Sequence, residues 1–153
     1  MILYHGSNIV IKDIDLTMSK PNKDFGRAFY LSDNYKQAFE LAKYKANILG
    51  GQAIVNEFVF NEQTSGLKIL TFDTYSFEWA EFVFKNRSED NYTHPYDIVY
   101  GPIANDRVGI QLQNYKEGII TIDELIKRLK YLHGITFQYA FCTQQSLTTL
   151  RSK

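Results

Sequence analysis

Apolar and polar positions along this chain fall into segments short enough to be read one at a time. Ile2-Leu3-Tyr4-His5 is a strand-like opening, closed by Gly6-Ser7-Asn8. Residues 9–24 hold no period and contain Pro21-Asn22, so they read as an irregular crossing. Residues 28–32 read as a short strand. Asp33 or Asn34 then caps a helix whose apolar residues Tyr35, Ala38, Phe39, Ala42, Ala46 and Leu49 share one face, and Gly50-Gly51 ends it. Residues 53–60 and 67–72 are predicted strands on either side of a turn at 61–66. A helix is predicted over 76–85, with Phe77, Ala80 and Phe84 on one side. The run 96–100 is an apolar strand, broken by Gly101-Pro102. Thr121-Ile122-Asp123-Glu124 is a capping box, and Ile122, Leu125, Ile126, Leu129 and Leu132 carry a stripe on to His133-Gly134. Residues 136–142 form the last strand, and 143–150 a terminal helix. Strands of mixed spacing with helices between them give an α+β class.

Alternation in the last strand sorts its side chains. Phe137, Tyr139 and Phe141 share one face; Thr136, Gln138, Ala140 and Cys142 share the other. The aromatic face reads as core. On the opposite face Gln138 stands between small neighbours, as Tyr30 stands between Ala28 and Ser32. A large polar side chain between two small ones suits one wall of a cleft, and equally suits a strand packed tightly on a helix.

Composition narrows the class. The 153 residues read as one domain, 1–153, long enough for a real core. Eleven Tyr and eleven Phe favour a sheet-rich core or a stacking pocket. Seventeen basic residues balance seventeen acidic ones, so no global basic field collects nucleic acid. A single cysteine, Cys142, excludes an intramolecular disulfide and fits a reducing compartment. It reads as a buried structural thiol or, less simply, a nucleophile. No leader-like or membrane-length apolar segment occurs, and the sequence-based expectation is a cytoplasmic protein with no membrane contact. His5, His94 and His133 lack metal-ligand spacing, so no metal is expected.

Three separated segments carry the chemistry: Tyr4-His5-Gly6-Ser7, Gly26-Arg27-Ala28-Phe29-Tyr30-Leu31-Ser32 and Phe137-Gln138-Tyr139-Ala140-Phe141. In that order they resemble the His-Tyr-Glu signature of the ADP-ribosyltransferase superfamily, the branch that includes the poly-ADP-ribose polymerases. The first is similar to the family's opening motif at the end of a strand. The second is similar to its Gly-x-Gly-x-Tyr-Phe segment before a helix, and the third to Asn-Glu-Tyr-x-Val in a late strand. The whole chain also resembles a family of small bacterial proteins placed near these transferases and often encoded beside a small antitoxin-like partner. The fold this implies is a pair of split mixed and antiparallel β-sheets with flanking helices.

The resemblance implies NAD+ as substrate. His5 would hydrogen-bond a ribose hydroxyl, the Gly6 backbone would approach the carboxamide, and Ser7 would add a hydroxyl contact. Tyr30 would line the nicotinamide pocket, with Phe29 and Ser32 beside it on the same segment. Phe39 is the candidate for a second stacking ring, and equally a helix-core residue. Arg27 would meet a phosphate or stand as a solvated surface arginine.

Gln138 departs from the family, which has Glu here. An amide oxygen still accepts a hydrogen bond, but it brings no charge and cannot be a base. The loss corresponds to about 1–3 kcal/mol at the transition state, or about ten- to hundredfold in rate. A substitute acid is therefore sought in the polar break 101–107. Asp106 is a candidate base and Arg107 a pyrophosphate partner, although Asn105 or Asp106 serves equally as a helix N-cap. Lys43 and Lys45 read as solvated helix faces. The sequence thus points to a mono-ADP-ribosyltransferase, in the setting of a bacterial toxin–antitoxin pair, acting on an acceptor it does not identify. The alternative is a weakened or inactive module that binds NAD+, ADP-ribose or a protein.

Overall fold

The computed structural model of the chain describes residues 1–104, 106–130 and 135–153. Its described elements are β1 (Ile2–Ser7), β2 (Phe29–Leu31), α1 (Tyr35–Leu49), β3 (Ile54–Phe60), β4 (Ile69–Thr71), α2 (Phe77–Ser88) and β5 (Ile98–Pro102). These are followed by α3 (Asp106–Lys116), α4 (Ile122–Lys130), β6 (Phe137–Phe141), the short α5 (Gln144–Leu147) and β7 (Leu150–Ser152). The architecture is α+β with two sheets. One is antiparallel, in the order β1-β3-β7. The other, β2-β6-β5-β4, is mixed because β4 and β5 run parallel. None of the described helices is long and apolar enough to cross a membrane.

Local chemistry accounts for most boundaries. The Asn34 side chain accepts from Gln37 N and starts α1, and Gly50 at positive φ ends it. Glu124 N donates to Thr121 Oγ1 at 3.2 Å, and Thr121 N donates back to Glu124 Oε1 at 3.4 Å, which closes the predicted capping box of α4. Leu132 and the stop expected at His133-Gly134 lie outside the described residues, as does the Asn105 cap.

Two expectations are corrected. Gly101-Pro102 does not break β5, because Pro102 pairs with Phe137 in the ladder. Tyr100 O accepts from Phe72 N on the β4 side, so the even-numbered residues of β5 face that way. β4 ends at Thr71, so the missing N–H of Pro102 falls where no partner strand remains. Gly101 is needed for another reason: a Cβ there would lie 3.1 Å from the Phe25 ring and 3.2 Å from Phe72. The terminal helix is also shorter than expected. α5 is one turn, held by a Thr143–Ser146 capping box, and Leu150–Ser152 turns back as β7 on the edge of β3.

The mixed sheet is covered on both faces. Between the sheets, Leu3, Leu31, Phe58, Phe60, Ile98 and Phe141 form an apolar core. On the other face Trp79, Val83, Val99, Leu112, Leu125 and Ala140 pack with the helices. Trp79 Nε1 donates to Pro102 O at 3.0 Å and pins α2 to β5. The sheets meet at an isolated bridge, where Tyr4 N donates to Ser32 O at 2.7 Å and Ser32 N to Tyr4 O at 2.9 Å.

Candidate functional site

Beyond the Tyr4–Ser32 bridge, β1 and β2 part. Counting antiparallel from that pair sets Gly6 opposite Tyr30. Both backbone groups of Tyr4 face Ser32, so those of Gly6, two residues on, face the same gap and not β3. The Gly6 carbonyl accepts from Lys45 Nζ at 2.9 Å. Its N–H has no partner among the described residues.

A cleft of about 360 Å³ opens here, and Gly6, Tyr30, Ser32 and Gln138 all line it. Residues from all three sequence segments thus reach one cavity. Helix α1 closes it with Gln37, Ala38 and Leu41. The Gln37 Oε1 atom is buried without a partner. A larger depression of about 720 Å³ lies between Met1, Asn61 and Thr149, and none of the three segments borders it.

Gly6 is demanded from behind as well. A Cβ at this position would overlap the Ala38 carbonyl oxygen and lie 2.8 Å from Ala42 N. Only glycine lets α1 seat this closely on β1, so the packing fixes Gly6 independently of any ligand.

His5 points to the other side of β1, toward the core between the sheets. Its ring stacks on Phe29 with centroids 4.3 Å apart, and Nδ1 lies 2.7 Å from Tyr30 O. A carbonyl can only accept, so Nδ1 carries the proton and Nε2 is left as an acceptor. Burial, reinforced by the nearby Lys45 ammonium, lowers the His5 pKa from 6.5 to about 4. The ring is neutral near pH 7. Ser7 shares this face and is buried; its Oγ accepts from Ile9 N at 3.4 Å, and it does not line the cleft.

Tyr30 offers its ring to the cleft, but its hydroxyl is engaged. It donates to Gly26 O at 2.6 Å and accepts from Phe25 N at 3.0 Å. Burial pushes its ionisation well above the usual tyrosine range. The Lys23 ammonium stands 5.3 Å from the ring centroid. Ser32 Oγ accepts from Asn34 N at 2.9 Å and ties β2 to the start of α1.

Gln138 reaches the cleft from β6, and its Nε2 lies 3.4 Å from Asp24 Oδ2. Asp24 is held in turn by Arg87, whose Nε and Nη2 each stand 2.6 Å from Oδ1.

The remaining candidates lie elsewhere. Arg27 is exposed and donates to Thr17 O at 3.1 Å. Phe29 is packed beneath His5 and edge-on to Phe58. Phe39 sits on the outer side of α1, stacked on Tyr35, with the Lys43 ammonium over its ring. Asp106 opens α3, but its side chain lies outside the described residues. Arg107 follows it in the first turn of α3, exposed and not among the residues lining the cleft. Burial pushes the Cys142 thiol up to about 12, far from a nucleophile's range.

Sequence reasoning missed Asp24, Gln37, Lys45 and Arg87. Asp24 lies in the stretch without a period, and Arg87 two residues past the predicted end of its helix. No spacing connects 24, 87 and 138. Lys45 does not conform to the solvated-face reading, since it folds back onto β1, whereas Lys43 pairs with Glu40 at 2.8 Å.

No curated protein and no solved structure matches the chain. The family model described as "Protein of unknown function (DUF3990)" matches residues 1–152, so the chain belongs to that family.

Proposed function

We propose that the cleft binds NAD+ and that the protein is a mono-ADP-ribosyltransferase. The observation that carries this reading is the meeting of Gly6, Tyr30 and Gln138, from three distant segments, in one cavity beside a neutral His5. The split between two sheets is the setting that the resemblance to ADP-ribosyltransferases implies.

The chemistry matches the groups present. The bond from ribose C1′ to the nicotinamide nitrogen breaks through an oxocarbenium-like state, as in glycoside hydrolysis. Nicotinamide leaves with the bonding pair, the acceptor's oxygen, nitrogen or sulfur bonds to C1′, and its proton passes to solvent. The Gly6 N–H, open on the strand edge, would donate to the carboxamide oxygen, and the Tyr30 ring would wall the pyridine. His5 faces away from the cleft and would act by holding the Tyr30 carbonyl, and with it the ring that walls the pyridine, through its Nδ1–H at 2.7 Å. Gln138 Oε1 would accept from the 2′-hydroxyl and present the negative end of its dipole to the developing cation.

A second reading, a binding module without turnover, draws on two features. Gln138 carries no charge, and Lys45 occupies the Gly6 carbonyl that a carboxamide NH2 would seek. Incubation with NAD+ labelled in the nicotinamide separates the two. Release that vanishes in His5→Ala is expected of the transferase, and binding without release belongs to the module. Neither signal would overturn both. The bacterial toxin role, with a small antitoxin-like partner, rests on the sequence resemblance and extends the transferase reading.

A further inference from the structure

The resemblance leads one to expect a carboxylate at position 138, where this chain has an amide. The structure places a carboxylate directly against that amide. Gln138 Nε2 is 3.4 Å from Asp24 Oδ2, and a carboxylate oxygen can only accept. The amide therefore turns its NH2 to Asp24 and its Oε1 away from it.

Asp24 is not free to swing aside. Arg87 holds Oδ1 through two nitrogens, each at 2.6 Å, and Ala104 N reaches Oδ2 at 3.3 Å. Its side chain is only 15% exposed. The loop before β2, the end of α2 and the exit of β5 thus fix one carboxylate beside one strand residue.

We propose that Asp24 is a positioning residue: it fixes the Gln138 amide so that Oε1 serves as the cleft's acceptor, and it requires residue 138 to be neutral. The acid of the site stands at position 24, one side chain back from where the family resemblance puts it. The geometric pairing stands on its own, and its effect on turnover rests on the NAD+ reading above. A glutamate at position 138 would bring a second carboxylate against Asp24, and two like charges at that distance do not both ionise readily.

The decisive experiment is a carbon-detected NMR titration of the introduced side-chain carboxyl in Gln138→Glu. The charged groups around this part of the cleft are Asp24, Arg87 from α2, Lys23 from the loop and Lys45 from α1, with the Tyr30 hydroxyl neutral behind them. If Asp24 governs the site, the introduced carboxyl titrates at least about one unit above the ordinary glutamate value of roughly 4.3. In Asp24→Asn/Gln138→Glu it returns toward that value. Titration at or below the ordinary value in the single variant means that Arg87 dominates, and overturns the proposal.

Nicotinamide release supplies a second arm. Asp24→Asn should lower kcat on the order of tenfold with little change in KM. The double variant, its charge moved to position 138, should recover most of that loss. A double variant no faster than Asp24→Asn overturns the proposal. A wild type that releases no nicotinamide sinks the NAD+ reading, and the titration still decides this one without it.

Discussion

Ala140 and Phe141 are neighbours in β6, both fully buried, and they face cores of different kinds. Phe141 looks between the sheets, edge-on to Phe60 at 5.3 Å, in a cluster with Leu3, Leu31, Phe58 and Ile98. Ala140 looks toward the helices, and along its face Gln138 leads out to Asp24, Arg87 and the cleft. Around Phe141 the first core asks for volume and shape. The second has a polar edge where small residues leave room, and the candidate chemistry gathers there. Period two in a single strand therefore separates the core between the sheets from a face that ends at the candidate cleft.

Variants on the two sides should separate in the same way. Phe141→Ala is expected to cost about 3–5 kcal/mol in urea unfolding, because the rings around it cannot collapse into the gap. A loss under about 1 kcal/mol would mean that the core between the sheets is loosely packed. Gly6→Ala comes next, at about 1–3 kcal/mol, since the new methyl meets helix backbone and not a yielding side chain. Its melting temperature should fall even with no ligand present.

Gln138→Ala inverts the pattern. Stability should change by no more than about 1 kcal/mol, while nicotinamide release falls on the order of tenfold. A variant that loses both equally would place Gln138 with the structural side of the strand.

pH probes His5 directly. Its folded pKa of about 4 lies below the unfolded 6.5, so the unfolded chain takes up the proton first. The His5 contribution is complete above about pH 6.5 and is lost as the pH falls toward 4. His5→Gln should flatten the stability profile across that window, and an unchanged slope would contradict a neutral buried ring. The smallest effect is expected for Phe39→Ala, under about 0.5 kcal/mol, with NAD+ affinity unaltered. A clear loss of affinity would return Phe39 to the site.

Sequence carried the local half of this structure. Asn34 and Gly50 bracket α1, and Thr121 with Glu124 starts α4, because caps are written in residues a few positions apart. Alternation in β6 separated its faces for the same reason. Strand β7 was invisible, since three residues on a sheet edge carry no period, and their pairing with β3 is a long-range matter. Pro102 misled because a proline's tolerance depends on which edge it faces, and that follows from where β4 stops. The cleft was legible as three separate segments, of which Gly6, Tyr30 and Gln138 reach it. Asp24 was not, because its meaning lies in contacts to residues 87 and 138, which no local pattern encodes.

The Tyr4–Ser32 bridge makes the molecule resemble a clothes peg. Its two jaws are joined by one reciprocal pair of backbone hydrogen bonds, braced by the His5 imidazole on Tyr30. Parting the jaws there would release the amide protons of Tyr4 and Ser32 to deuterium while the rest of each ladder stays closed. Those two amides are built-in reporters of the gap. A ligand wedged against Gly6 should slow their exchange together, and one bound elsewhere should leave them untouched.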